Sequence, residues 1–186
     1  MKNFYRILLA AFLAAACLFL NGCQDITKAL QAENRDYGES YVAQQPDMLK
    51  NTFFEYAVKS AQIVTELPDG STAEDEGDKI LVVEVEIHNV FGEEIPMSNM
   101  DFELKYQGMT EEYSGYPLEA GYLDSQLEDE WNMAADATES GSLLFIVPSG
   151  VTQFGLEYVE LWDDDFEGST YTIEFTAEDA SGTTNA

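Results

Sequence analysis

The stretch 79–89 reads Lys-Ile-Leu-Val-Val-Glu-Val-Glu-Ile-His-Asn, aliphatic without a break over 80–83 and then alternating apolar with polar. A run that is apolar on both faces and opens into a two-residue alternation predicts a central β-strand passing out of a sheet core. The stretch 142–148 predicts a second one, because Leu143, Leu144, Phe145, Ile146 and Val147 are apolar on both faces and Pro148-Ser149-Gly150 ends the run. Around these two, alternation predicts half-buried strands. Phe54, Tyr56 and Val58 share a face within 51–64, as do Phe102, Leu104 and Tyr106 further on, and a last pair covers 154–162 and 169–176, with Tyr171, Ile173 and Phe175 inward.

Turn chemistry separates these runs: Leu67-Pro68-Asp69-Gly70 fixes one φ and accepts one positive φ, and Gln107-Gly108 turns the chain again. The stretch 109–116 reads as a partner strand. Within 118–137, Leu123, Leu127 and Trp131 lie four residues apart, so a short helix and a loop are both open readings. About seven strands with no reliable long helix predict an all-β, antiparallel β-sandwich.

The beginning of the chain follows a different pattern. Lys2 and Arg6 precede a 14-residue apolar run over 7–20, which suits an export signal and falls short of the roughly 20 residues of a spanning helix. The run closes on Leu20-Asn21-Gly22-Cys23, which resembles the bacterial lipobox. That resemblance implies cleavage before Cys23, lipid on its sulfur and an anchor to the membrane at the extracellular face; the alternatives are an ordinary cleaved signal peptide or an uncleaved anchor, with Cys23 incidental. The expected organisation is a signal peptide over 1–22, the lipidated cysteine and a polar tether over 23–49, the sandwich over 50–178 and a polar tail over 179–186.

Charge narrows the function classes. Acidic residues outnumber basic ones 36 to 8, and loss of Lys2 and Arg6 with the leader leaves 6 against 36, a formal charge of -30. Such a surface repels phosphate backbones, so nucleic acid is not an expected partner. Cys17 and Cys23 are the only cysteines and His88 the only histidine, so neither a disulfide within the domain nor a Cys/His zinc site is expected.

The chain also resembles the telokin-like, immunoglobulin-like domains of unknown function, of the DUF4352 type, found on Gram-positive bacterial lipoproteins. The matching residues are Asn51-Thr-Phe-Phe-Glu-Tyr-Ala-Val, Ile80-Leu-Val-Val-Glu-Val-Glu-Ile-His-Asn, Ile95-Pro-Met with Asp101-Phe-Glu-Leu, and Glu139-Ser-Gly-Ser-Leu-Leu-Phe-Ile-Val-Pro. The resemblance spans about 50–177 and implies an immunoglobulin-like sandwich outside the cell, with no catalytic residue carried over.

Three sets of residues carry candidate chemistry. Asp163, Asp165, Glu167 and Glu174 place oxygen donors at positions 1, 3, 5 and 12 of a calcium loop with Gly168 at 6. The flanks read as strands, so an acidic hairpin tip that is merely solvated is the competing reading. Tyr113, Tyr116, Tyr122 and Trp131, with Tyr106 nearby in sequence, form an aromatic series able to bind a protein or a cell-wall component, or to cap the core. His88 falls with Glu84 and Glu86 on the outer face of its strand, and no nucleophile or acid in the sequence pairs with it for catalysis. The expected function is therefore a non-enzymatic, membrane-anchored extracellular lipoprotein whose domain binds a protein or surface component without a cofactor. An acidic Ca²⁺-binding or cation-buffering lipoprotein is the alternative.

Overall fold

In the computed structural model, which describes residues 38–110, 115–162 and 167–180, the stretch around Val83 forms β4 (Asp78–Asn89) at the centre of a sheet. It pairs antiparallel with β3 (Phe54–Val64) on one side and with β8 (Thr138–Pro148) on the other. Two short strands join β3, namely β2 (Leu49–Lys50) antiparallel and β11 (Glu178–Asp179) parallel. The facing sheet runs β1 (Ser40–Gln44), β10 (Glu167–Thr176), β9 (Gln153–Leu161) and β6 (Phe102–Lys105). A separate ribbon pairs β5 (Ile95–Ser98) with β7 (Glu130–Met133).

Two-residue periodicity decides which side chains meet between the sheets. Leu81, Val83, Val85 and Ile87 from β4 and Leu143, Phe145 and Val147 from β8 join Leu156, Tyr158, Ile173 and Phe175 of the facing sheet in one buried cluster. On β3 the buried set changes parity, from Phe54, Tyr56 and Val58 to Ala61 and Ile63. The register shift between Val58 and Ser60 inserts Lys59 as an extra residue, which turns the following side chains back to the core. The Tyr56 hydroxyl donates across the core to the Tyr171 carbonyl at 2.9 Å and lies 3.2 Å from that of Leu156, so one polar contact ties the sheets together.

The all-apolar runs have a second reason. Ile80 and Leu144 point away from the main core and pack with Leu67, Val64, Val82, Leu118, Leu123 and Ile146 in a smaller cluster on the outer face of the sheet. β8 is therefore apolar on both faces because a loop covers its back, although in hydrogen-bonding order it is an edge strand and not a central one. That loop also closes its free edge. Leu118 N–H donates to Leu144 O at 2.7 Å, Leu127 N–H to Ser142 O at 3.0 Å, and Ser142 N–H to Ser125 O at 2.8 Å. An uncovered edge would present unpaired N–H and C=O groups as a template for another chain. The close approach requires Gly141, where an added Cβ would lie 2.6 Å from Leu127 Cδ2.

Four expectations change in this light. The helix over Leu123, Leu127 and Trp131 does not form: apart from one turn, Gln126 N–H to Leu123 O at 3.0 Å, the backbone of this stretch hydrogen-bonds to the β8 edge and the β5–β7 ribbon. The partner strand at 109–116 is absent from its described residues, where Gly115 only accepts a hydrogen bond from Leu104 N–H at 2.6 Å; 111–114 lie outside the description. The polar stretch 23–49 is not tether throughout, since β1 lies within it and pairs in parallel with β10 from Ser40↔Thr170 to Gln44↔Glu174. Asp179, placed in the tail, pairs with Ile63. The sandwich itself stands, built from eleven described strands because several very short ones add to the long ones.

Candidate ligand-binding groove

The β5–β7 ribbon begins in a short motif, Glu93-Glu94-Ile95-Pro96-Met97-Ser98, whose apolar members alternate. Pairing sets Ile95 opposite Met133 and Met97 opposite Trp131, so Ile95, Met97 and Met133 are buried against the sandwich. Pro96 is tolerated because β5 has a single hydrogen-bonded neighbour. Asn89, at the end of β4, fixes this ribbon to the sheet: its buried amide contacts the carbonyls of Glu93 (2.8 Å), Met133 (3.0 Å) and Ala134 (3.0 Å), and its oxygen accepts from Phe91 N–H at 2.9 Å.

Ser98 then opens a single 3-10 turn, Asn99–Asp101, through a reciprocal cap. Its hydroxyl accepts from Met100 N–H at 3.2 Å, and Asp101 Oδ2 accepts from Ser98 N–H at 2.7 Å. Asp129 anchors the turn from the far side, accepting at its carboxylate from the Asn99 amide at 2.9 Å and from Ala120 N–H at 2.8 Å.

Between turn and ribbon lies an open groove of about 550 Å³. Pro96, Met97 and Trp131 supply its apolar part, Ser98 and Asn132 neutral polar groups, and Asp101 and Glu130 two carboxylates. Trp131 is half-buried, packs on the main core, and keeps a buried indole N–H without a hydrogen-bond partner. Partial burial raises the Asp101 carboxyl above its ordinary value, and the Ser98 N–H pulls it back in part.

The other predicted residues are dispersed. Tyr116 and Tyr122 are exposed on the covering loop and do not line the groove, Tyr113 lies outside the described residues, and Tyr106 packs edge-on to Phe154 at 5.7 Å. Of the described members of the aromatic series, Trp131 alone lines the groove. Glu167 and Glu174 are both exposed on β10; seven residues of extended chain put them roughly 20 Å apart, so one cation with ligands at about 2.3–2.6 Å does not take both. Glu174 instead accepts a hydrogen bond from the Gln44 amide of β1. Asp163, Asp165 and Cys23 lie outside the described residues, among which no three His, Cys, Asp or Glu side chains form a metal-holding group.

His88 is occupied on both sides. Its Nδ1 lies 3.0 Å from Glu55 Oε1 on β3, and its Nε2 lies 3.2 Å from Asp136 Oδ1 in the turn before β8. The Glu55 hydrogen bond chiefly, and that of Asp136 next, raise the His88 pKa above its ordinary value. A cation with both nitrogens donating serves as an electrostatic tie between β3, β4 and the turn. A pKa raised in the folded state contributes stability that is complete below about pH 6.5, the unfolded value, and vanishes as pH rises through the folded one. The melting-temperature gap between wild type and His88→Gln is accordingly expected to be widest near pH 6 and to close by about pH 9; a gap that does not change with pH would refute the tie.

Sequence reasoning did not single out Asn89, Met97, Ser98, Asp101, Glu130 or Asn132 as a group. The one local signal was Ser98-x-x-Asp101, a capping pattern. The rest depends on pairing across more than thirty residues of chain.

A family model described as Domain of unknown function (DUF4352) matches residues 47–181. Among solved structures, the yjhA protein from Bacillus subtilis is similar at a TM-score of 0.56 and 16% identity, over 72% of this chain and 99% of that one, and shares the fold. The ycdA protein of Bacillus subtilis, provisionally described as a lipoprotein, is 21% identical over 68% of this chain at a TM-score of 0.49, and the match spans only 38% of its length. A β-sandwich protein from Clostridium difficile 630 is similar at 12% identity and a TM-score of 0.37, over 76% of this chain and 96% of that one. A search of curated proteins returned no match.

Proposed function

The chain belongs to the DUF4352 family of domains of unknown function, and on that premise we propose that it is a non-enzymatic extracellular module, held to the membrane by lipid on Cys23, that binds a protein or cell-surface component in the β5–β7 groove. The observation that carries the reading is the groove itself, in which a half-buried indole sits among exposed polar groups. An aromatic ring fixed by the core offers a large contact area whose ordering entropy is already spent, which is why tryptophan is frequent at binding hot spots. The apolar run closing on Cys23 supports the anchor. The only histidine is tied up between two carboxylates and is no free base. A cation-buffering role draws on the excess of acid, but the separation of Glu167 and Glu174 favours the groove.

One paired experiment tests both halves. Cys23→Ala is expected to move the protein out of the membrane fraction, and Trp131→Ala to weaken binding of the purified full chain to isolated cell envelopes about tenfold or more. Retention of the first variant in the membrane removes the anchor, and unchanged envelope binding by the second removes the groove.

A further inference from the structure

We propose that the groove takes the cationic side chain of a basic peptide segment, an inference that rests on reading the groove as the binding face. Two carboxylates line it, and neither forms an ion pair with a cation among the described residues. The lysines of the described residues are all elsewhere: Lys50 in β2, Lys59 in β3, Lys79 in β4 and Lys105 in β6, with Lys59 held by Glu86 at 3.2 Å and Lys105 by Glu103 and Glu157. Asp101 uses Oδ2 on the Ser98 N–H, which leaves Oδ1 for a ligand.

The remaining lining suits the rest of such a side chain. Met97, Pro96 and Trp131 match an aliphatic stem, since lysine and arginine lay their methylenes along apolar surface and keep the charge outward. An indole ring also attracts a cation over its face. Ser98 and Asn132 carry oxygens that accept from an ammonium or guanidinium. An anionic ligand would meet two carboxylates within a chain of formal charge -28, and a neutral one would desolvate them for no return.

The inference is tested by calorimetric titration of the full chain at about 0.15 M salt, where long-range attraction is largely screened. The probe is an N-acetylated, C-amidated peptide of alternating alanine and lysine, compared with the same peptide Nε-acetylated and with free spermidine. Asp101→Asn with Glu130→Gln is expected to weaken the lysine peptide about tenfold or more, against less than about twofold for Glu74→Gln with Glu76→Gln, which removes equal charge from an exposed loop. The Asp101→Asn amide still offers an oxygen to the Ser98 N–H, and an unchanged melting temperature confirms that the pair is folded.

Equal losses in both pairs would reduce the effect to diffuse charge and overturn the inference. So would undiminished binding of the acetylated peptide, or spermidine binding as tightly as the peptide, which would make the ligand a small amine. Should the peptide fail while Trp131→Ala still weakens envelope binding, the cationic assignment falls and the groove stands. Should Trp131→Ala have no effect either, both fall.

Discussion

Phe102→Ala is expected to lower the unfolding free energy by about 3–5 kcal/mol, the range for deleting a fully buried aromatic side chain. Phe102 has no exposed surface and lies where both sheets meet, its ring centre 5.5 Å from that of Tyr56, 6.1 Å from Phe54 and 6.2 Å from Tyr158. The surrounding rings belong to long paired strands, β3 and β9, which restricts collapse into the space left behind. Against a total stability of about 5–15 kcal/mol, this loss brings the domain close to unfolding at ordinary temperature. Urea titration measures it, with Leu161→Ala, exposed on the outer face of β9, as a near-neutral reference. A Phe102→Ala loss under about 1 kcal/mol would mean that Phe102 is not part of a close-packed core.

Asn89→Ala is expected to cost about 2–4 kcal/mol and to loosen the groove while leaving the sandwich folded. The substitution removes a nearly fully buried amide that contacts three carbonyls and one N–H, and each buried group left without a partner costs about 1–3 kcal/mol unless water reaches it. Those groups all belong to the 91–93 turn and to the end of β7 with the residue beyond it. The damage should therefore be local: amide exchange is expected to quicken at Met97 and Trp131, and to change far less at Val83 and Leu156 in the sheet centres. Uniform acceleration throughout the domain would show that Asn89 supports the whole fold and not the ribbon. Envelope binding by this variant should weaken even though no residue lining the groove has been altered.

What was readable in advance separates along a physical line. Alternation is a property of contiguous residues, so Phe54, Tyr56 and Val58, or Tyr171, Ile173 and Phe175, announce their buried face whatever their partners are. Both-sided apolarity at 143–147 was readable as burial but not as position, because covering by a loop and flanking by two strands leave the same pattern. β1 gave no signal at all: Ser40, Tyr41, Val42 and Gln44 are exposed, and what holds the strand is its pairing with β10, through the backbone, the stacking of Tyr41 on Tyr171 and the hydrogen bond from Gln44 to Glu174. The groove was the least readable part. It arises from Met97 meeting Trp131 across the β5–β7 pair, with Asp101 brought beside them by a three-residue turn, and such registers are set by tertiary packing.

The placement of the four described lysines has a practical consequence for protease sensitivity. Lys50, Lys59, Lys79 and Lys105 each sit in a strand. Trypsin has to draw several residues of extended chain into its cleft, and a strand in register cannot supply them until it leaves its sheet. Within 38–110, 115–162 and 167–180, tryptic cleavage is thus coupled to the opening of strands and not to loop motion. The digestion rate becomes a direct gauge of that opening, one that separates a variant which loosens only the ribbon from one which releases the sandwich.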